Sequence, residues 1–332
     1  MKELVEGFPE QIRHAIELGE QIQVKASGAT IQNVVVAGLG GSGIGANLVQ
    51  SVVAGKLKVP FSVYKTYDLP AFIDEHTLFI ACSFSGNTEE TLASLQQAEQ
   101  KRAQIACITA GGKLLEIAES KGYSYAPIPG ESKAPRANLG YSFIQLLYML
   151  HKFGLMDKFF KEQIKAGLQL ILNEEQPIRD LAQSLAQSMH NYMPVFYADA
   201  KFEPLIVRCQ QQINENSKQF CHINVFPEMN HNELVGWMFP EQLYRQAQVI
   251  LVRSSLNHQR VGLRMDLCTK IFEDKGARVT DFELKGNSYI EQALYFINVT
   301  DWVSLYLAEL NNIDPRPVAI IDYLKSELAK VE

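Results

Sequence analysis

Ser83, Ser85 and Thr88 place three hydroxyls within the six residues Ser83-Phe-Ser-Gly-Asn-Thr88, and Gly86 lets the backbone come close to whatever they hold. The segment follows the apolar run Thr77-Leu-Phe-Ile-Ala-Cys82 and precedes a helical pattern from Glu89 to Arg102, so it joins a strand end to a helix start. Hydroxyls together with helix N-terminal N–H groups hold a phosphate monoester without bulk positive charge. Thr88 alone would serve as an N-cap, but a cap needs one hydroxyl. The reciprocal partner of a capping box is also absent, with Thr91 standing three residues on. A second loop of this kind lies upstream. Ala37-Gly-Leu-Gly-Gly-Ser-Gly-Ile-Gly45 leaves the run Asn33-Val-Val-Val-Ala37 and opens a helix, which again suits a phosphate.

That first loop admits other readings. Gly38-x-Gly40-x-x-Gly43 fits the dinucleotide fingerprint, yet the ribose-holding acid expected about 20 positions on is missing. Ser62-Val-Tyr-Lys65 stands there, and Asp68 comes late. No Gly-Lys-Ser/Thr follows, so the loop is not a P-loop. A glycine turn that only packs helix on strand is the remaining alternative. Two cradles in one domain point to a sugar phosphate, because a dinucleotide dehydrogenase has no use for the second.

The elements that carry these loops alternate along the whole chain. Strands are expected at residues 33–37, 61–65, 77–82, 104–109 and 124–127, with helices near 9–26, 43–54, 89–102, 113–120 and 138–152. From about Phe159 the order begins again. Helices near 160–172 and 178–192 lead to strands near 194–198, 221–226, 248–253 and 278–282. The pattern predicts an α/β protein of two doubly wound domains, each a mainly parallel sheet flanked by helices. The boundary is expected in Phe153-Gly-Leu-Met-Asp157, giving domains 1–153 and 154–332.

Composition narrows the function classes. The chain has 332 residues, 47% of them hydrophobic and 20% charged, enough for large cores and too apolar for disorder. A net charge of −6 argues against nucleic acid as the main partner. The apolar runs fall far short of the ~20 residues that cross a bilayer. The first twenty residues mix charged and apolar positions, unlike a signal peptide. Five scattered cysteines without a C-x-x-C pair read as reduced thiols in a cytoplasmic protein.

Gly40-Gly-Ser-Gly43 and Ser83-x-Ser-Gly-x-Thr-x-Glu90 resemble the sugar isomerase (SIS) domain signature. The resemblance implies that Gly41, Ser42, Ser83, Ser85 and Thr88 bind the substrate phosphate. SIS domains also occur in sugar-phosphate sensors, so the second half must separate sensor from enzyme. Aldose–ketose interconversion through a cis-enediol needs a carboxylate base, a cation near the enediolate and an acid/base for ring opening. Four positions stand out. Arg136 lies in Ala134-Pro-Arg-Ala-Asn-Leu-Gly140, between a strand end and a helix. Glu215 ends a helix and shares a face with Arg208 and Gln212, a face that is otherwise a solvated one. His231 sits in the polar run Pro227-Glu-Met-Asn-His-Asn-Glu-Leu234, whose acids and amides can set its tautomer or merely form a turn. Lys325 interrupts the helical stripe Val318, Ile321, Leu328 within residues 315–331, where a Lys usually snorkels.

In this order and with these neighbours, the four resemble the bifunctional phosphoglucose/phosphomannose isomerase family along nearly the whole chain. The resemblance implies Glu215 as the C2 proton base, Arg136 as the enediolate-stabilising cation, and His231 with Lys325 in ring opening. It further implies a hexose 6-phosphate substrate and a homodimer in which the site's His comes from the neighbouring subunit. Pro317-Val318 offers no hydroxyl where a site accepting both C2 epimers is expected to hold one. Glucose 6-phosphate is therefore the expected main aldose, with mannose 6-phosphate second. Neither a cofactor nor a metal is expected, since no H-E-x-x-H occurs and the seven His are scattered. The rival is a non-catalytic sensor that keeps the cradles and has no need of Glu215 and His231.

Overall fold

The computed structural model describes residues 1–25, 28–130, 134–328 and 330. Ala26 and Val331, which end the first and last expected helical stretches, lie outside them. The chain forms two compact units: Glu6–Asn173 with Gly286–Leu294, and Met1–Val5 with Glu174–Lys285 and Tyr295–Glu332.

Helix α1 (Lys2–Glu6) is followed in the first unit by α2 (Phe8–Gln21) and strand β1 (Asn33–Ala37). Then come α3 (Gly40–Val53), β2 (Phe61–Tyr64), β3 (Thr77–Ser83), α4 (Glu89–Gln100) and β4 (Gln104–Thr109). The unit closes with α5 (Gly112–Lys121), β5 (Ser124–Pro127), α6 (Leu139–Lys152) and α7 (Phe159–Asn173). The five strands lie parallel in the order β2-β1-β3-β4-β5. Every residue of β3 and β4 is buried, which is why both read as unbroken apolar runs: helices cover both faces. On one face Val35, Phe79, Ala81, Ile105 and Cys107 pack with Leu95 of α4 and Leu114 of α5.

In the second unit α8 (Glu175–Met189) leads to β6 (Met193–Asp199), α9 (Glu203–Ser217) and β7 (His222–Phe226). Two short helices, α10 (Glu233–Gly236) and α11 (Glu241–Arg245), precede β8 (Ala247–Arg253), α12 (Gln259–Asp274) and β9 (Arg278–Glu283). The chain ends with α13 (Tyr289–Leu310), whose first turns belong to the first unit, and α14 (Ala319–Leu328). The sheet is parallel, in the order β7-β6-β8-β9. Tyr197, Val249 and Leu251 pack there against Met265 and Phe272 of α12, and against Trp237.

The expected alternation of strand and helix is present throughout. Boundaries differ locally: α3 begins at Gly40, so Gly40, Gly41, Gly43 and Gly45 are helical, and α2 ends at Gln21, short of the expected stretch 9–26. The compact units also divide between α7 and α8, whereas the expected domain boundary at 153/154 precedes α7. The reason lies in packing: Phe160 of α7 meets the Tyr148 ring of α6 edge-on at 5.0 Å, and Lys161 pairs with Glu20 of α2 at 2.8 Å. No helix among the described residues is long and apolar enough to cross a membrane.

Candidate active site

Strand order explains why the two glycine-containing loops meet. β1 lies between β2 and β3, so the chain leaves β1 to one side and returns on the other. The loops after β1 and β3 thus flank the topological switch point at the carboxyl edge of the sheet, where open parallel sheets bind ligands. The register pairs Ala37 with Ala81, so Gly38 comes level with Cys82. A Cβ on Gly38 would lie 2.8 Å from the Cys82 carbonyl oxygen; only glycine lets the first loop approach the second so closely.

Within the second loop the hydroxyls are held by one another and by backbone. Ser83 Oγ lies 2.8 Å from Thr88 Oγ1 and accepts from Gly86 N at 3.1 Å, while Ser85 Oγ accepts from Asn87 N at 3.2 Å. Thr88 is the N-cap of α4 by position, but its side chain makes no cap hydrogen bond, so the capping alternative fails. The first-turn N–H groups of α4 are left to another acceptor. Gly86 has φ +69°, and a Cβ there would lie 1.7 Å from the Gly111 carbonyl oxygen. The turn after β4 braces the loop further: Asn87 Oδ1 accepts from Lys113 N at 3.1 Å, and Gly86 O from Leu114 N at 3.0 Å.

Arg136 joins this edge. It occupies the 3-10 turn Pro135–Ala137 that enters α6, with the Pro135 carbonyl 3.6 Å from a Cβ built on Gly41. Ser142 Oγ of α6 donates to the Gly41 carbonyl at 3.3 Å. Gln11 of α2 fixes the turn from behind, donating to Ala137 O at 2.9 Å and accepting from Gly140 N at 2.7 Å. Gly41, Ser42, Ser83, Ser85, Thr88 and Arg136 thus converge at one sheet edge of the first unit.

In the second unit Glu215 occupies the last turn of α9, half-buried. Its face is not the solvated one a Gln-rich helix suggests. Arg208 and Gln212 are buried, and the Asp301 carboxylate of α13 accepts from them at 3.1 and 2.9 Å. Burial pushes the Asp301 carboxyl up, against the pull of Arg208. Asn216 and Ser217 both donate to Ser304, at 3.0 and 2.7 Å. These bonds lock the end of α9 onto α13 and fix where Glu215 projects.

His231 ends the 3-10 turn Glu228–His231 beyond the carboxyl end of β7. Its acid and amide neighbours do not set its ring. Asn232 donates to Glu228 at 2.8 Å, and Asn230 accepts from Arg264 at 3.2 Å. The Glu233 carboxylate accepts from Tyr197, His222 and Asn224, the His222 contact being 2.9 Å. Burial alone would raise the Glu233 carboxyl, but these three bonds outweigh it and hold it below the usual range. No residue hydrogen-bonds the exposed His231 ring among the described residues.

Glu215 and His231 stand on different segments of the second unit, the end of α9 and the turn after β7. In a parallel sheet α9 runs back from the carboxyl edge to the amino edge, and β7 then climbs the full height again. Its five residues span about 16 Å, which separates the end of α9 from the start of the segment after β7. Lys325 lies on α14, no residue of which is buried; Ile320 is 87% exposed and Leu328 61%. Of the expected stripe, Val318 precedes this helix and is half-buried, while Ile321 and Leu328 are 40% and 61% exposed among the described residues. Sequence reasoning passed over Tyr197, His222, Asn224 and Gln11, because their roles come from partners on other elements, 9 residues away for Asn224 and 126 for Gln11.

Residues 29–115 match the family model described as SIS domain, and residues 178–328 the one described as bacterial phospho-glucose isomerase C-terminal SIS domain. The chain is 41% identical to a bifunctional phosphoglucose/phosphomannose isomerase of Caldicellulosiruptor bescii, with 100% of both chains covered. It is 36% identical to a protein of the same description from Aquifex aeolicus, over 90% of this chain and 91% of the other. Among solved structures, the C-terminal domain of glucosamine-fructose-6-phosphate aminotransferase from Francisella tularensis has a TM-score of 0.73 at 15% identity. That match covers 95% of this chain and 97% of the other, and it is a likeness of fold alone.

Proposed function

The chain belongs to the bifunctional phosphoglucose/phosphomannose isomerase family, and from that premise we propose how its two SIS domains divide an aldose–ketose isomerisation. The substrates are hexose 6-phosphates, with glucose 6-phosphate and mannose 6-phosphate interconverted with fructose 6-phosphate. The first of these conversions is a step shared by glycolysis and gluconeogenesis. The five cysteines, all free and buried, suit a reducing cytoplasm.

Ser83, Ser85, Thr88 and the Gly41-Ser42 loop hold the phosphate through hydroxyls and the N-terminal N–H groups of α3 and α4. Anchoring the phosphate fixes the sugar chain, so C1 and C2 are presented at a set distance from it. Glu215, held by the α9–α13 bonds, removes the proton from C2 of the aldose and returns it to C1 of the enediol. Arg136 stabilises the enediolate oxygens as charge develops. His231 and Lys325 move the ring-opening proton between the ring oxygen and the anomeric hydroxyl. No metal or cofactor takes part.

One observation carries the assembly. Glu215 ends α9 and His231 follows β7, whose five residues stand between them along the chain, which supports a His231 supplied by a second copy. The active form is therefore a homodimer. The bare apolar surface of α14 supports this: an isolated helix of ten residues is not stable in water, and a second copy supplies what covers it. The experiment is conversion of fructose 6-phosphate in excess EDTA, with the two aldose products measured separately. The reading predicts an undiminished rate, glucose 6-phosphate in excess and some mannose 6-phosphate. A rate lost to EDTA and restored by a divalent metal contradicts it.

A further inference from the structure

The Glu233 carboxylate accepts three side-chain hydrogen bonds. Its three side-chain donors come from two strands: Tyr197 on β6, and His222 and Asn224 on β7. Trp237 adds a second layer, its Nε1 donating to the Tyr197 hydroxyl at 3.2 Å. Glu233 is ionised at neutral pH and so can only accept, which makes His222 Nε2 the donor in their 2.9 Å contact. Its own N–H donates to Asn232 Oδ1 at 2.6 Å. The result is a pin that fastens the segment after β7 back onto β6 and the first half of β7, two residues beyond a histidine whose ring is left open.

A surface turn does not need this much. Tyr197 is fully buried, stacked on Phe272 at 5.3 Å, and its hydroxyl reaches Glu233. Such networks are useful where a neighbouring group must be held to within a fraction of an ångström. We propose that Glu233 is a positioning residue for the reaction: bonded to Tyr197, His222 and Asn224, it sets the direction in which His231 is presented to the substrate of the other copy. This rests on the ring-opening role given to His231 above. It adds a residue that touches no substrate and acts only through that histidine.

The test is a double-mutant cycle on full-length dimer, with Glu233→Gln, His231→Ala and both together. Glu233→Gln is expected to lower kcat on fructose 6-phosphate on the order of 10-fold to 100-fold, the scale of a misplacement near 1 Å. In the His231→Ala background it is expected to cost nothing more, because the two residues act as one unit. A four-carbon aldose 4-phosphate cannot close a ring, and its inhibition constant is expected to be unchanged in Glu233→Gln, since the phosphate cradle lies in the other unit. Tyr197→Phe keeps the packed ring, removes one donor and is expected to give a smaller loss of the same kind. It carries the cycle if Glu233→Gln does not fold. A full-sized loss on top of His231→Ala, or a wild-type rate for Glu233→Gln beside a slow His231→Ala, overturns the proposal. If His231→Ala is itself as fast as the parent, the ring-opening assignment fails first, and the positioning role fails with it.

Discussion

Glu215→Gln is expected to lower turnover of fructose 6-phosphate about 10²- to 10⁴-fold, the range for removing a positioned general base. The amide keeps the size of the side chain and its place on α9, which is fixed by Gln212 on Asp301 and by Asn216 and Ser217 on Ser304. Stability should therefore change little. Substrate affinity should also survive, because Ser83, Ser85 and Thr88 belong to a separate loop network. The check is kcat by coupled assay beside a dissociation constant by calorimetry. Loss of binding in step with turnover would show that Glu215 holds substrate and does not act as the base.

The second large effect concerns two strongly slowed proteins restored by mixing. If Glu215 of one copy works with His231 of another, Glu215→Gln and His231→Ala homodimers each have two broken sites. A heterodimer of the two has one site with both mutations and one with neither. After co-expression and random assortment, about a quarter of wild-type specific activity is expected, since half the dimers are mixed and each has one working site. If both residues came from the same copy, no mixture would recover activity. A His231 supplied across the dimer, as proposed above, makes recovery the expected result.

Much of this was legible in the residues themselves. β3 and β4 announced themselves as uninterrupted apolar runs because helices cover both their faces, and the two glycine loops followed from strand ends meeting helix starts. The start of α3 was less visible, since glycines read as loop although Gly40 to Gly43 lie within the helix. Periodicity placed Arg208 and Gln212 on one face but could not show that the face is buried, because Asp301 stands 89 residues beyond Gln212. For the same reason the network at Glu233 was hidden: its partners sit on β6 and β7, and spacing along a chain carries no record of side chains across strands. The apolar positions of α14 were also legible, and their exposure among the described residues was not.

The central claim is that a carboxylate moves a proton between C1 and C2 without a metal. Isomerisation of fructose 6-phosphate in deuterium oxide with excess EDTA tests it most directly, with the aldose products examined at C2 by NMR. A proton held on Glu215 exchanges with solvent, so the account predicts deuterium at C2 in a substantial fraction of the product, at a rate the chelator does not change. Product formed at full rate with protium alone at C2 would mean that hydrogen passes directly between the carbons, and the account would be wrong.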